Sequence, residues 1–330
     1  MLNEKPLLIA RDLTLDFRIE RHLFGDRLIR ALDNVSLEIG SGEIVGIVGE
    51  SGSGKTTLGK TLLGVYRPTG GSIHYCGSNL VQLSKSASRG FRRDLQMVFQ
   101  DPLSSFNPRF TIGSSLAVAL RLYDICKPNE IHAEIGRLLY RVGLSPDFSN
   151  RFPHELSGGQ LQRVAIARAI SVKPKIIVAD EAVSKLDVSV RAQILNLLKL
   201  INRETGTSII FITHDLGVAR FLCDRIAVMY FGRIVEKGPT GQVFSSPFHP
   251  YTAALLAARN LHSESSSDAD ETVFVPSNPA SACNYVARCL RRTKICGIER
   301  PQPSALDIKH EVSCFVPLAS IQEDNQNFQR

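Results

Sequence analysis

The sequence predicts an α/β fold built on a parallel sheet, and three observations carry that prediction. Short, almost wholly apolar runs recur at 44–48, 176–179 and 208–213, each bounded by turn residues, as buried parallel strands are. Segments with apolar residues at three- and four-residue spacing lie between them, and strands alternating with helices build a doubly wound or related sheet. A glycine-rich loop joins the first of these strands to a helix. At 330 residues the chain has room for one large α/β domain and a smaller appendage.

The strand 44–48 runs into Gly49-Glu50-Ser51-Gly52-Ser53-Gly54-Lys55-Thr56-Thr57, and the next helix carries Leu58, Leu62 and Leu63. A Walker A phosphate loop requires this context. Its glycines let successive backbone N–H groups turn inward around phosphates, and the helix N-terminus adds its positive end. Lys55 would neutralise β- and γ-phosphate charge, and Thr56 would give its hydroxyl oxygen to Mg²⁺. A glycine-rich turn without a ligand has no need of both side chains.

The segment 101–152 has no comparable apolar strand and contains helix-like stretches such as 131–142. It predicts a helical subdomain, about 101–165, inserted into the core. Within it falls Leu156-Ser157-Gly158-Gly159-Gln160, about a hundred residues beyond the phosphate loop. Ser157 and Gly159 open a predicted helix over 160–170, an arrangement that again suits an anion. Since the chain already has a complete phosphate loop, the economical reading is that this second site serves ATP on another subunit, head to tail, with two ATPs between the pair.

The strand 176–179 ends in Asp180-Glu181. Asp180 fits the carboxylate that holds Mg²⁺, directly or through water, and Glu181 is placed to polarise the attacking water as a general base. An acidic pair at a strand end is more often a solvated terminus; its distance from the other elements argues otherwise. Ile194, Leu197, Leu198 and Ile201 then mark an amphipathic helix. After the strand 208–213, His214 in Ile-Thr-His-Asp would sense the γ-phosphate and help position the water.

Bulk properties exclude more than they assign. The composition is 43% hydrophobic and 22% charged, ordinary for a soluble globular chain. No apolar run approaches the roughly 20 residues of a membrane helix, and the first six residues lack the apolar core of a secretory signal. A cytoplasmic chain that meets membrane only through a partner is therefore expected. The net charge of +7 comes without a polybasic tract or basic–aromatic stripe, so no nucleic-acid partner is expected.

Beyond Asn260 the composition changes. Residues 262–271 are Ser- and acid-rich, as linkers are, and several prolines break up the chain beyond them. The expected division is a nucleotide-binding domain over 1–258, a linker over 259–275 and an irregular extension over 276–330. Cys283, Cys289, Cys296 and Cys314 fall together in that extension, whereas Cys76, Cys126 and Cys223 are isolated. In a chain without an export signal the cluster points to metal before disulfides. The spacing C-x5-C-x6-C-x17-C lacks the C-x2-C knuckle of structural zinc sites. An iron–sulfur cluster, zinc and four unliganded thiols all stay open.

Taken in order, these motifs resemble the ATP-hydrolysing subunits of ABC transporters over residues 1 to about 258. The resemblance implies a RecA-like P-loop core with an inserted helical subdomain. It implies ATP and Mg²⁺ as cofactors, Gln100 near the metal and the attacking water, and Phe17 (less so Phe24) as the aromatic ring on the adenine. Ser184-Lys185-Leu186-Asp187 corresponds to the loop along the dimer interface, with Lys185 where most relatives carry a small residue. Asp187-Val188-Ser189-Val190, Gln193-Ile194-Leu195-Asn196-Leu197-Leu198 and His249-Pro250-Tyr251-Thr252-Ala253-Ala254-Leu255-Leu256 are similar to the oligopeptide/dipeptide importer branch. That branch implies uptake of peptides, nickel chelates, opines or sugar-like compounds. It also implies a second, different ATPase subunit, two membrane permease subunits and an external solute-binding protein, at the cytoplasmic face of the plasma membrane. Some members carry a [4Fe–4S] cluster on a tail with spaced cysteines. Two other readings compete: an ATPase acting on nucleic acid, disfavoured by the lack of long heptad runs between the motifs, and a regulatory subunit that hydrolyses poorly, suggested by Lys185.

Overall fold

The structure is a computed structural model that describes residues 6–19, 27–80, 85–260, 281–307 and 309–318. Phe24, most of the linker and the last residues of the extension lie outside the described residues. In chain order the elements are β1 (Leu8–Ile19), β2 (Arg27–Ile39), β3 (Ile44–Val48), α1 (Lys55–Leu62), β4 (Gly70–Tyr75), β5 (Ser78–Asn79), α2 (Lys85–Asp94), β6 (Leu95–Val98), α3 (Ile112–Leu122), α4 (Ile131–Arg141), α5 (Gly158–Ile170), β7 (Ile176–Asp180), α6 (Val188–Thr205), β8 (Ser208–Thr213), α7 (Leu216–Leu222), β9 (Arg225–Tyr230), β10 (Arg233–Pro239), α8 (Thr240–Ser245), α9 (Pro250–Asn260), β11 (Ser304–Asp307) and β12 (His310–Val312). They fall into two compact units. One comprises Met1–Leu13, Ser36–Val45 and Thr56–Thr213, the other Thr14–Val35, Gly46–Lys55 and His214–Arg330.

In the first unit β6, β7 and β8 pair in parallel, with Leu95 opposite Ile176 and Ile176 opposite Ser208. Every residue of β7 and β8 is buried, which is why these strands read as continuous apolar runs rather than as alternation. Asp180, the last residue of β7, is a carboxylate at the end of an apolar strand. Helix α6 buries Ile194, Leu195, Leu197, Leu198 and Ile201 on one stripe and stops at Gly206, whose φ of 67° is the left-handed conformation of a helix C-cap. Residues 101–165 hold α3, α4 and the start of α5. Thr111 caps α3 by accepting from the Ser114 N–H. In α4, Ile131, Ile135, Leu138 and Leu139 are buried, each contributing roughly 1.5–3 kcal/mol.

The long strands β1 and β2 escape a search for period-two alternation for an identifiable reason. Leu8 and Ala10 are buried on β1, then Leu13 and Leu15; between the pairs Asp12 has φ of 50°. On β2, Leu32 is followed by Val35, Leu37 and Ile39, with Asn34 at φ 56°. One left-handed residue offsets each alternation by a position, as a bulge does.

In the second unit β9 and β10 form an antiparallel hairpin, β12 pairs with β10 through Glu236 opposite Val312, and β11 pairs with β12. The extension therefore contains regular strands where sequence predicts only irregular chain. They are four and three residues long, too short for a pattern to register. Its own core comprises Ala282, Val286 and Cys296, with Cys283 and Phe315 packed against it.

Glu236 is the polar anchor of this unit. Its carboxylate accepts from the Phe248 and His249 N–H groups at 2.7 and 2.9 Å, and His310 Nε2 on β12 lies 2.7 Å from Oε1. Glu236 is 1% exposed and both histidines 2%. Burial, opposed only in part by the Glu236 charge, lowers the His249 pKa to about 4, and its Nδ1 accepts from the Tyr251 N–H. A depressed histidine pKa means that the unfolded chain takes up the proton first. Stability should therefore fall as pH drops from about 6.5 to about 4, by on the order of 3 kcal/mol. Urea unfolding across that range is expected to show this loss, and His249→Gln to remove most of its pH dependence.

Candidate functional site

The phosphate loop leaves β3 at Gly49. That residue has φ of 151°, and an added Cβ would collide with the Met229 carbonyl oxygen, so the backbone there is open only to glycine. The loop folds back on itself. The Ser53 N–H donates to Glu50 O at 3.2 Å, and the buried Lys55 ammonium donates to Gly49 O, Glu50 O and Ser53 Oγ at 2.8, 2.7 and 3.4 Å. The loop is also tied down from outside: the Glu50 N–H donates to Tyr251 Oη at 2.9 Å, and the Gly232 N–H donates to Ser53 O at 2.9 Å. Ser51 and Gly52 are exposed, while Gly54 and Thr57 are half-buried. Lys55 is the first residue of α1, so Thr56 comes next on the opening turn.

In the first unit Thr56 Oγ1 donates to Asp180 Oδ1 at 2.9 Å. Asp180 is buried and Thr56 exposed, so a hydroxyl and a carboxylate converge at the end of an apolar strand. Gln100 Nε2 donates to Glu181 Oε2 at 2.7 Å. Glu181 itself has φ of 45°, a left-handed backbone that glutamate seldom adopts and that costs on the order of 1–3 kcal/mol. Its N–H donates to Ile212 O on β8, and its carbonyl accepts from the Ser184 N–H and hydroxyl. Strain of this kind persists only where surrounding bonds fix it, and it aims the carboxylate at Gln100.

Ser157 and Gln160 form a reciprocal cap on α5: Ser157 Oγ accepts from the Gln160 N–H, and Gln160 Oε1 accepts from the Ser157 N–H. The Gln160 side chain is thus occupied by its own helix start. Gly159 admits the Val190 side chain, which a Cβ would strike. Toward its other end α5 carries Arg168, whose guanidinium donates to Ser105 O and Oγ at 2.7 and 2.9 Å and lies over the Phe106 ring. Burial lowers its pKa. Arg168 thereby joins α5 to the segment after Gln100, a link that sequence reasoning missed.

Phe17 is half-buried on β1, and His214 is exposed immediately after β8. Lys185, Asp187 and Val188 are exposed, with Asp187 preceding α6 and its side chain making no cap. Phe99, Leu103, Phe110, Val118 and Leu122 are large apolar side chains left exposed around and after Gln100.

The four tail cysteines lie within electrostatic reach of one another: Cys314 feels Cys283, Cys289 and Cys296, and Cys283 feels Cys296 and Cys289. Backbone N–H groups of Tyr285, Arg291 and Val316 point at the sulfurs of Cys283, Cys289 and Cys314, and the Thr293 N–H lies 3.5 Å from Cys296 Sγ. Burial raises the Cys283 and Cys289 thiols and pushes Cys314 up to about 11. Among the described residues, no group of three or more His, Cys, Asp or Glu is arranged to hold a metal ion.

Comparison with known proteins gives the family. The ABC transporter family matches residues 32–184, and the C-terminal region of oligopeptide/dipeptide transporters matches 235–296. The chain is 40% identical to the oligopeptide transport ATP-binding protein OppF of Escherichia coli (strain K12), over 94% of this chain and 96% of that protein. It is 39% identical to the oligopeptide transport ATP-binding protein AppF of Bacillus subtilis (strain 168), over 95% and 98%. A dimeric ATP-binding cassette solved in a post-hydrolysis state with ADP and Pi aligns with a TM-score of 0.63 at 31% identity, covering 71% of this chain and 98% of that one. The chain belongs to the ABC transporter family, as an ATPase subunit of its oligopeptide/dipeptide branch.

Proposed function

We propose that this subunit powers peptide uptake by hydrolysing ATP between two opposed cassettes, with Thr56, Asp180, Gln100 and Glu181 at the reacting phosphate. The observation that carries the reading is the convergence of Thr56 on Asp180 and of Gln100 on Glu181. Hydroxyl, amide and carboxylate oxygens are the donors that Mg²⁺ takes, and the ion when bound neutralises charge on the phosphates. Glu181 accepts the proton of the attacking water, Gln100 orients that carboxylate, and His214 positions the water against the γ-phosphate. Residues 49–57 wrap the phosphates, with Lys55 on the β- and γ-oxygens, and Phe17 stacks on the adenine. Ser157, Gly159 and Gln160, with Asp187, face the ATP of a second ATPase subunit, which the branch supplies as a different chain. The exposed residues Lys185, Asp187 and Val188 lie along that contact.

The exposed apolar residues from Phe99 to Leu122 suit docking to a membrane permease, two copies of which would receive solute from an external binding protein. No helix among the described residues is long and apolar enough to cross a membrane, so the proposed place is the cytoplasmic face, through those partners. Peptides are favoured over nickel chelates, opines or sugar-like compounds because the relatives named above are oligopeptide transport proteins.

For the extension we propose that Cys283, Cys289, Cys296 and Cys314 ligate a [4Fe–4S] cluster. The support is chemical: four thiols in mutual electrostatic reach, with N–H groups directed at their sulfurs, form the donor set such clusters use. The raised pKa values of Cys283, Cys289 and Cys314 describe thiols, and metal ligation would hold all four as thiolates. One preparation tests both readings: the chain co-purified without oxygen with its permeases and the second ATPase, and reconstituted in liposomes with the external binding protein. Peptide-dependent ATP turnover and peptide accumulation are expected, together with near-equal iron and acid-labile sulfide. Turnover indifferent to peptide would overturn the transport reading, and one zinc or no metal would overturn the cluster.

A further inference from the structure

The contacts on Glu50 join the cysteine-bearing extension to the phosphate loop. Glu50 is the second residue of that loop, and its carbonyl is a partner of the Lys55 ammonium. Its carboxylate meets Arg288 of the extension, with Nη1 at 3.2 and 3.1 Å from the two oxygens. Arg288 immediately precedes Cys289. Beneath the pair lie three tyrosines in mutual ring contact, Tyr230, Tyr251 and Tyr285, with centroids 4.5 to 5.5 Å apart. Tyr251 is the one that accepts the Glu50 N–H.

A second connection reaches the other half of the loop. Asn284 of the extension donates to Phe231 O at 3.1 Å, and the next residue, Gly232, donates its N–H to Ser53 O at 2.9 Å. Phe231 and Gly232 both have left-handed backbone, φ 42° and 78°, the pattern of the two-residue turn that joins β9 to β10. The extension thus reaches the loop directly at Glu50, through Arg288, and at Ser53 only by way of Phe231 and Gly232.

We infer that Arg288 is a positioning residue for ATP: through Glu50 it sets the phosphate loop in its binding geometry, so that nucleotide affinity depends on the extension. The inference rests on the reading that residues 49–57 bind ATP, and it is independent of whether the cysteines hold a metal. The two side chains are about half-exposed, at 49% and 41%, so solvent screens the pair and the effect is moderate. Arg288 acts on binding and touches no reacting atom; it should move KM and spare kcat.

The test is a double-mutant cycle on the full-length chain in its complex, reading phosphate release against ATP concentration and direct binding of trinitrophenyl-ATP. Arg288→Gln and Glu50→Gln are each expected to raise the KM for ATP about three- to five-fold, and kcat should stay within about two-fold in Arg288→Gln, which lies outside the loop. The double variant should be no worse than either single one, and Arg288→Lys should recover part of the loss. Additive effects, or an unchanged KM in Arg288→Gln, overturn the inference. If Arg288→Gln does not fold, Arg288→Met decides in its place: an unchanged KM there is equally fatal. A wild-type chain that fails to bind the analogue would instead overturn the underlying ATP reading.

Discussion

Glu181→Gln is expected to lower ATP turnover by about 10²- to 10⁴-fold, the usual contribution of a general base. The substitution keeps the shape of the side chain, and an amide oxygen can still accept from Gln100 Nε2, whose bond to Glu181 is 2.7 Å. The left-handed backbone at Glu181 is fixed by main-chain bonds to Ile212 and Ser184 and does not depend on the carboxylate. Folding and ATP binding should therefore survive while proton transfer is lost. Single-turnover phosphate release with the assembled complex measures this directly. If the wild type already turns over slowly and the variant changes nothing, the chain is the poorly hydrolysing partner that Lys185 suggests, and the base belongs to the other ATPase.

The second large effect is expected from Gly49→Ala. At φ 151° an alanine is strained, and its Cβ would run into the Met229 carbonyl oxygen, which no rotamer can relieve. The loop or the hairpin strand must move, at a cost of about 3 kcal/mol or more. Because Gly49 O is also a partner of Lys55, the displacement reaches the phosphate-binding lysine. ATP binding is expected to fall at least about ten-fold, since 1.4 kcal/mol already amounts to that factor. Gly52→Ala is the internal control: φ is 80°, but nothing lies within 4 Å of the added Cβ. It should cost only about 1–2 kcal/mol of backbone strain. Nucleotide titration and thermal melting of the two variants check the contrast. Equal losses would mean that backbone strain alone, and no collision with Met229, governs the loop.

How much of the fold is legible in the sequence depends on how each element announces itself. Strands β7 and β8 are buried on both faces and therefore stand out as apolar runs, and α6 stands out through its stripe. The Thr56–Asp180 and Gln100–Glu181 pairs join motifs that can be recognised one by one. Strands β1 and β2 are hidden because Asp12 and Asn34 each shift the alternation by one residue. The contacts of Arg288, Tyr251 and Arg168 are hidden for another reason. A lone arginine or tyrosine carries no spacing signal, and its meaning lies wholly in a partner 63 to 238 residues away.

The pairing of β12 with β10 has a consequence for anyone who would shorten this chain. Removing the extension to reach the size of a bare cassette would leave β10 with a row of unpaired N–H and C=O groups, an open edge that invites strands from other molecules. The same cut would take away His310 and leave the carboxylate of Glu236, 1% exposed in the intact chain, beside the gap. The extension is a seal on the sheet, and a truncated chain is a candidate for self-association before it is a smaller enzyme.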